Sequence, residues 1–340
     1  MLYCGFFIDS FTMLHHDLII GNLKLFSNIF IAPLAGYTNL PSRLIYRSQG
    51  AGMAYTEMVS ALGLKYNFNK SAKLLKSNNN DKPLGIQLFG PDSQSILNAF
   101  LKIKKIKFDL IDINCGCSIK KVLKAKSGAY LLQNPEEIYK IIKSLKNNTD
   151  KPVTIKIRSG WTESTINYID VLDASVKAGV DLITFHPRTR SMIFKGKVDW
   201  GLIKVMKEKS PVPVIGNGDI FNGPDAVKMI YETGCDGIML ARGLIENPFL
   251  VEEVKAFLMN IPYAAPSIEK KINTMLHHCQ MMVKYYGEKT GIFEFRKFIR
   301  GYLKNLPEVS KIRQALNKID NFKSFYAIVN EYFEYLKCGD

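Results

Sequence analysis

The sequence predicts an α/β fold, a (β/α)8 TIM barrel followed by a C-terminal all-helical domain. Short apolar runs rich in β-branched residues recur eight times within about 230 residues, close to the length such a barrel takes. Amphipathic stretches of helical length lie between most of them, and from about residue 253 only helical periodicity remains. Continuous apolar strands alternating with helices mark a parallel sheet covered by helices. Eight such units suit a closed barrel better than an open doubly wound sheet.

In chain order the strands are "IFIAP" (29–33), "MAYTE" (53–57), "LGIQLF" (84–89), "LIDIN" (110–114), "VTIKI" (153–157), "LITFH" (182–186), "VPVIGN" (212–217) and "GIMLA" (237–241). The intervening helices include "PDSQSILNAFLKIKKIK" and "NPEEIYKIIKSLKNN". No G-x-G-x-x-G follows any strand, which counts against a dinucleotide-binding sheet. "PYAAPS" (262–267) reads as a linker into four helical stretches: "IEKKINTMLHHCQMMVKYYG", "GIFEFRKFIRGYLKNL", "VSKIRQALNKI" and "FKSFYAIVNEYFEYL". The expected division is therefore an N-terminal extension at 1–20, open to disorder, a barrel at 21–255 and a helical domain at 265–340. Met13 opens a more ordinary beginning, so residues 1–12 read as a loose tail or a start placed too early.

Composition narrows the functional classes. The chain has 340 residues, 47% hydrophobic and 23% charged, which is globular. No run approaches the roughly 20 apolar residues that span a bilayer, and the apolar start lacks the basic region and cleavage site of a signal peptide. Six scattered cysteines do not form a secreted disulfide framework, so a reducing cytoplasm is expected. No C-x-x-C pair is present, and no metal is expected. The net charge of +15 favours a polyanionic partner, although solvated lysines such as those of "KIKKIK" (102–107) carry part of it.

A barrel places chemistry on the loops that follow its strands, and polar and glycine residues gather there. "APLAG" ends the first strand, Gln87 lies in the third, and "NCGC" ends the fourth. Lys156 and Arg158 sit at the end of the fifth, His186 at the sixth, "NGDI" at the seventh and "ARG" at the eighth. Closure makes these ends one pocket. Loops after strands seven and eight commonly bind phosphate through backbone N–H groups, here "GNGDI" (216–220) and "ARG" (241–243). Lys156, pointing inward, would stabilise anionic charge on a cofactor ring. A phosphorylated flavin suits this arrangement. The pair Cys115 and Cys117 in "DINCGCSIKK" (112–121) leaves several roles open: metal ligand, disulfide, nucleophile, proton donor or space-filling.

The motifs "APLAGYTNLPSR", "GIQLFG", "DINCGCSIKKVLKAKSGAYLL", "VTIKIRSGW", "HPRTR", "VIGNGDI" and "GIMLARG" resemble, in order and spacing, the FMN-dependent tRNA-dihydrouridine synthases, most closely their bacterial B-type branch. "EFRKFIRGYLKNLP" resembles that family's C-terminal RNA-binding domain. The resemblance runs from about residue 21 to the end.

It implies an oxidoreductase in which NADPH, with NADH the alternative reductant, reduces FMN, whose N5 delivers hydride to C6 of a tRNA uracil while a cysteine protonates C5. By motif match, Pro33, Leu34, Ala35, Gln87, Lys156, Asn217, Gly218, Asp219, Ala241 and Arg242 should hold FMN, with His186 close by. Asn114 and Arg158 should hold the uracil edge. The family pattern N-x-G-C-P gives Cys117 the catalytic position and Cys115 a variable one, read as pocket lining. A thiol with an ordinary pKa near 8.5 is mostly protonated at neutral pH, as a proton donor requires, and no base suited to a nucleophile is evident nearby. In the helical domain Arg296, Lys297, Arg300 and Lys304 follow i, i+1, i+4, i+8 spacing and are expected to share one phosphate-contacting face. The protein is expected to act as a monomer. Four positions depart from the family pattern: Ser118 stands for proline, Ala241 for glycine, and Phe298 and Gly301 for His and Trp. The rival readings are an FMN barrel acting on a free pyrimidine, in the manner of a dihydroorotate dehydrogenase, and a non-catalytic RNA-binding protein.

Overall fold

The computed structural model describes residues 13–338. Eight parallel strands form a closed barrel: β1 (Ile29–Ile31), β2 (Met53–Tyr55), β3 (Leu84–Phe89), β4 (Leu110–Cys115), β5 (Val153–Arg158), β6 (Leu182–His186), β7 (Val214–Asn217) and β8 (Gly237–Leu240). Each pairs with the next, β8 pairs with β1, and β2 with β3 closes the ring. All eight coincide with the apolar runs of the sequence.

Period-two alternation sorts the side chains of every strand. On β4, Ile111, Ile113 and Cys115 join the outer core under the helices, while Leu110 faces the barrel axis. Phe30, Met53, Tyr55, Leu182, Ile215 and Met239 share that axial core. The barrel floor is closed by an antiparallel hairpin, Leu18–Ile20 with Leu23–Leu25, whose Leu18, Ile20 and Leu25 enter the same axial core. The expected boundary at residue 21 thus falls inside this hairpin. Residues 1–12 lie outside the described residues.

Seven helices of eight residues or more cover the barrel among the described residues: α1 (Leu40–Ser48), α2 (Ser93–Ile103), α3 (Pro135–Lys146), α4 (Tyr168–Ala178), α5 (Gly201–Lys209), α6 (Gly223–Thr233) and α7 (Leu250–Leu258). Their sequences mark their ends. α3 begins at Asn134, whose side chain accepts the Glu137 N–H, with Pro135 in the first turn and two glutamates after it; all three favour a helix start. It buries Ile138, Ile141, Ile142 and Leu145 at helical spacing. α7 runs three residues past the expected domain end at 255.

The helical domain consists of α8 (Ile268–Tyr286), α9 (Glu288–Tyr302), α10 (Val309–Leu316) and α11 (Phe322–Cys338). Gly287, at φ 85°, makes the turn between α8 and α9 that a side chain would resist. Met275, Cys279, Phe295, Phe298, Ile299, Tyr302 and Phe325 build its core. α8 docks on α1 of the barrel. There His278 is buried between the Ser42 hydroxyl (3.2 Å) and the Tyr302 hydroxyl (3.0 Å), and burial pushes its pKa down to about 3, so it bridges the two units uncharged. Phe298 is 1% exposed and meets Tyr37 edge-to-face at 5.8 Å. A Cβ on Gly301 would lie 2.3 Å from the Ile245 carbonyl oxygen. These two departures from the family pattern therefore serve packing and the domain contact, and neither is open to RNA. No helix among the described residues is long and apolar enough to cross a membrane.

Candidate active site

The inward positions change character along the barrel axis. Above the apolar floor β4 presents Asp112 and Asn114, β5 presents Thr154, Lys156 and Arg158, β6 presents Thr184 and His186, and β7 presents Asn217. The strand ends then open on a cavity of about 390 Å³. Pro33, Leu34 and Ala35 line it from the end of β1, Asn114 and Cys117 from β4, and Lys156 and Arg158 from β5. His186 lines it from β6, with Asn217, Gly218 and Asp219 from β7 and Ala241 and Arg242 after β8. The structure thus brings together all but four of the site residues expected from sequence.

Gln87 is the first of the four. It does not line the cavity; it is fully buried one layer beneath, donating to Asp112 (2.7 Å) and accepting from Asn114 (2.7 Å). The others lie on α9, and tertiary contacts pull them apart. The Arg296 guanidinium donates to the Ile319 carbonyl (2.8 Å), toward the turn before α11. Lys297 pairs with Glu294 and sits 5.4 Å from the Tyr37 ring centre, toward the barrel. Lys304, expected on the same face, is 3.6 Å from Glu246. Arg300 is exposed and makes no ion pair with the described residues. The single basic face read from helical spacing is therefore divided among three neighbours.

The cysteines separate cleanly. Cys115 was expected to line the pocket, but it is the outward residue of β4, fully buried in the layer between strands and helices. Alternation from Asn114 forces it there, and burial raises its thiol far above the ordinary range. Cys117, in the loop, is half-buried and opens on the cavity. Burial, which outweighs the nearby Ile119 backbone and Arg158, also raises its pKa, so it is protonated at neutral pH.

Hydrogen bonds fix the rest. The Cys117 N–H (2.9 Å) and the Gly116 N–H (3.2 Å) donate to Asn114 Oδ1. Arg158 donates to the Gly116 carbonyl (2.8 Å) and the Thr189 carbonyl (3.0 Å). Gly128, at φ 66°, has no room for a Cβ, which would lie 2.8 Å from the Cys117 carbonyl oxygen. On the neighbouring strand, in register with Asn114, Lys156 Nζ donates to Asn217 Oδ1 (2.7 Å), and Asn217 Nδ2 donates to the Met239 carbonyl (2.8 Å). His186 Nδ1 is 2.9 Å from the Asn217 carbonyl. That contact puts the ring proton on Nδ1 and leaves Nε2 bare. Burial, with Lys156 and Arg158 close by, holds His186 well below its ordinary pKa and so neutral.

Gly218, at φ 134°, could not carry a Cβ, which would lie 2.8 Å from His186 Nδ1. The carboxylate of Asp219 accepts from Arg188 (2.6 Å) and from Arg242 (2.9 Å), so Asp219 and Arg188 set where Arg242 stands. Arg188 lay within the quoted "HPRTR" motif, yet its grip on Asp219 depends on a contact between loops that spacing does not encode. Phe194 was also missed. It lines the cavity with its ring 4.7 Å from the Arg242 guanidinium and 5.8 Å from that of Arg158, and nothing in its loop has a readable period.

With this geometry established, comparison with known proteins adds lineage. The family model described as Dihydrouridine synthase (Dus) matches residues 30–335. The chain is 34% identical over 312 residues to a probable tRNA-dihydrouridine synthase 1 of Synechocystis sp., covering 91% of this chain and 87% of that protein. It is 32% identical over 315 residues to tRNA-dihydrouridine synthase B of Pasteurella multocida, covering 92% and 95%. Among solved structures it resembles a 2-naphthoyl-CoA reductase complex (TM-score 0.56, 13% identity, 74% of this chain and 53% of that one). It also resembles histamine dehydrogenase from Rhizobium sp. 4-9 (TM-score 0.53, 18% identity, 80% and 51%). These two likenesses show the barrel fold.

Lys156 generates a prediction about pH. Burial, reinforced by Arg158, lowers its pKa from 10.5 to about 7. Between those values the unfolded chain keeps a proton that the folded chain has lost, so this group makes stability rise with pH across that window. Below it the fold bears the full cost of a buried charge. The stability of Lys156→Met minus that of wild type should therefore be largest below pH 7 and shrink towards pH 10. Urea titrations of both ligand-free proteins across that range measure it, and a gap that does not change with pH would contradict the assignment.

Proposed function

The chain belongs to the dihydrouridine synthase family and is an oxidoreductase that reduces uridine in tRNA to dihydrouridine; we propose that it does so with bound FMN, NADPH as reductant and Cys117 as proton donor. The observation that carries this reading is the shared cavity, in which a protonated thiol faces the same space as a buried lysine and the glycine-bearing loop after β7.

The residues present fit a flavin phosphate and ring. A cavity of about 390 Å³ is within the usual range for cofactor sites, roughly 300–1,000 Å³. Lys156 has no carboxylate partner within ion-pair distance among the described residues and keeps hydrogen-bond donors beyond the one given to Asn217. An anionic ring edge would supply the missing partner. Gly218 leaves its backbone bare, and Asp219 holds Arg242 beside it. Pro33, Leu34, Ala35, Lys156, His186, Asn217, Gly218, Asp219, Ala241 and Arg242 would hold the cofactor directly, while Gln87, beneath the cavity, holds Asn114. Held by these residues and reduced by NADPH, a flavin would supply the hydride for C6 of the uracil.

The chain itself supplies the rest. Cys117 delivers its thiol proton to C5, completing the two-hydrogen addition, and solvent reprotonates it. Asn114 holds the loop that carries Cys117, and its second amide hydrogen, which points to the Met58 sulfur (3.8 Å), would exchange that weak acceptor for the uracil edge. Arg158 braces the same loop and keeps Nη2 free of partners among the described residues, available to a uracil carbonyl. The helical domain supplies the second grip that a uracil drawn out of its stack requires, with Arg300 an exposed basic side chain of α9 that makes no ion pair with the described residues. The net charge of +15 suits that partner. All these groups come from one chain, so a monomer working in the cytoplasm on tRNA suffices. The family match spans barrel and helical domain together, which does not favour a free pyrimidine as substrate or a purely RNA-binding role.

Two predictions follow from this division of labour. Cys117→Ala should retain reduction of its flavin by NADPH but lose dihydrouridine formation by about 10²–10⁴-fold, the usual worth of general acid catalysis. Cys115→Ala, in the outer core, should stay within a few-fold of wild type once folded; exchanged phenotypes in a tRNA reduction assay would show that the wrong thiol is assigned. Arg300→Glu should weaken tRNA binding and flatten its salt dependence by about one phosphate contact, with flavin content intact. Filter binding over a salt series checks this, and an unchanged slope would place the RNA elsewhere.

A further inference from the structure

Beneath the cavity lies a chain of buried polar groups whose order is dictated at both ends. Strand register sets Gln87 beside Asp112 and Asp112 beside Thr154. Thr154 Oγ1 donates to Asp112 Oδ1 (2.5 Å) and Gln87 Nε2 donates to Asp112 Oδ2 (2.7 Å). Asn114 Nδ2 donates to Gln87 Oε1 (2.7 Å), and Asn114 Oδ1 accepts the N–H groups of Gly116 and Cys117. All four side chains are buried.

An ionised carboxylate only accepts, and a backbone N–H only donates. Between these fixed ends two primary amides stand in series, and each must present nitrogen toward Asp112 and oxygen toward the loop. Turning either amide over would set donor against donor where water cannot compensate, at a cost of about 1–3 kcal/mol for each buried group left unpaired. The carboxylate at 112, which lies outside the cavity lining, thus decides which way Gln87 points. Gln87 in turn decides which face Asn114 offers to the loop that carries the thiol.

We propose that Asp112 is a positioning residue for the proton transfer, holding Cys117 in its reactive place through the ordered amides of Gln87 and Asn114. The proposal rests on the reading of Cys117 as proton donor. The order of the relay, rather than the charge of its anchor, is what matters. Asn at 112 can keep its oxygen toward Gln87 and donate to Thr154, whose hydroxyl turns to accept. Leu at 112 offers Gln87 nothing.

The test separates the two half-reactions in the holoenzyme by anaerobic stopped flow: flavin reduction by NADPH, then flavin reoxidation by tRNA lacking dihydrouridine. Asp112→Leu should slow reoxidation roughly 10²-fold, as misplacement of a reacting group does, with flavin reduction and tRNA affinity near wild type. Asp112→Asn should restore reoxidation to within a few-fold. Where Asp112→Leu does not fold, Asp112→Val, nearer in size to aspartate and suited to a strand, replaces it. It too offers Gln87 no acceptor and should be slow. Rapid reoxidation in Asp112→Leu or in Asp112→Val would overturn the relay. Equal slowing in Asp112→Asn and Asp112→Leu, or equal slowing of both half-reactions, would also overturn it. Cys117→Ala is the reference: rapid reoxidation there would overturn the proton-donor reading and the relay with it. A slow Cys117→Ala beside a fast Asp112→Leu overturns the relay alone.

Discussion

The structure depends on one constraint: a closed eight-stranded barrel has few inward positions, and the neighbours of each group placed there decide which way it can point. At the floor the answer is apolar. The hairpin residues Leu18, Ile20 and Leu25 fill the axis with Phe30, Tyr55 and Met239, and of these six only Tyr55 carries a polar side-chain atom, its buried hydroxyl. One layer up the inward residues are Gln87, Asp112 and Thr154, which satisfy one another. Only at the rim do Lys156, Arg158 and His186 meet open space. The cavity is thus the top of a graded stack. Each layer fixes the one above, so a loop residue such as Cys117 inherits its position from groups that never touch a substrate.

The helical domain shares in this arrangement. The loop after β1 carries Pro33, Leu34 and Ala35 into the cavity and continues to Gly36 and Tyr37. Tyr37 packs against Phe298, and Lys297 of α9 lies over its ring. Glu57, buried and with its pKa raised by burial, accepts the Gly36 N–H in the same place. A side chain drawn toward RNA on α9 is therefore also a brace for one wall of the cavity. This explains why Lys297 is not a free phosphate ligand in the way that its helical position suggested.

Much of this was legible in the sequence, because strands in a helix-covered barrel are continuous apolar runs and their ends are where polar and glycine residues interrupt them. Asn114, Lys156, Arg158 and His186 could be placed in one pocket for that reason. What escaped was set by direction or by distant contact. Cys115 is one residue from Asn114, and a period of two sends it to the other face. Gln87 has the right direction but the wrong depth, since motif order says nothing of layer. The floor hairpin is too short for a pattern to register. Arg188 and Phe194 owe their roles to loops that meet only in the folded barrel, and Arg296 and Lys297 were claimed by neighbours that a helical wheel does not contain.

The central claim is that this cavity moves two hydrogens onto a uridine presented by tRNA. It is tested most directly by reducing the purified protein with NADPH without oxygen, mixing it with tRNA that lacks dihydrouridine, and following flavin colour and nucleoside mass together. The account predicts one dihydrouridine formed for each flavin reoxidised, and no reoxidation when free uracil replaces the tRNA. Reoxidation by free uracil at the same rate, or a flavin that tRNA leaves reduced, would contradict it.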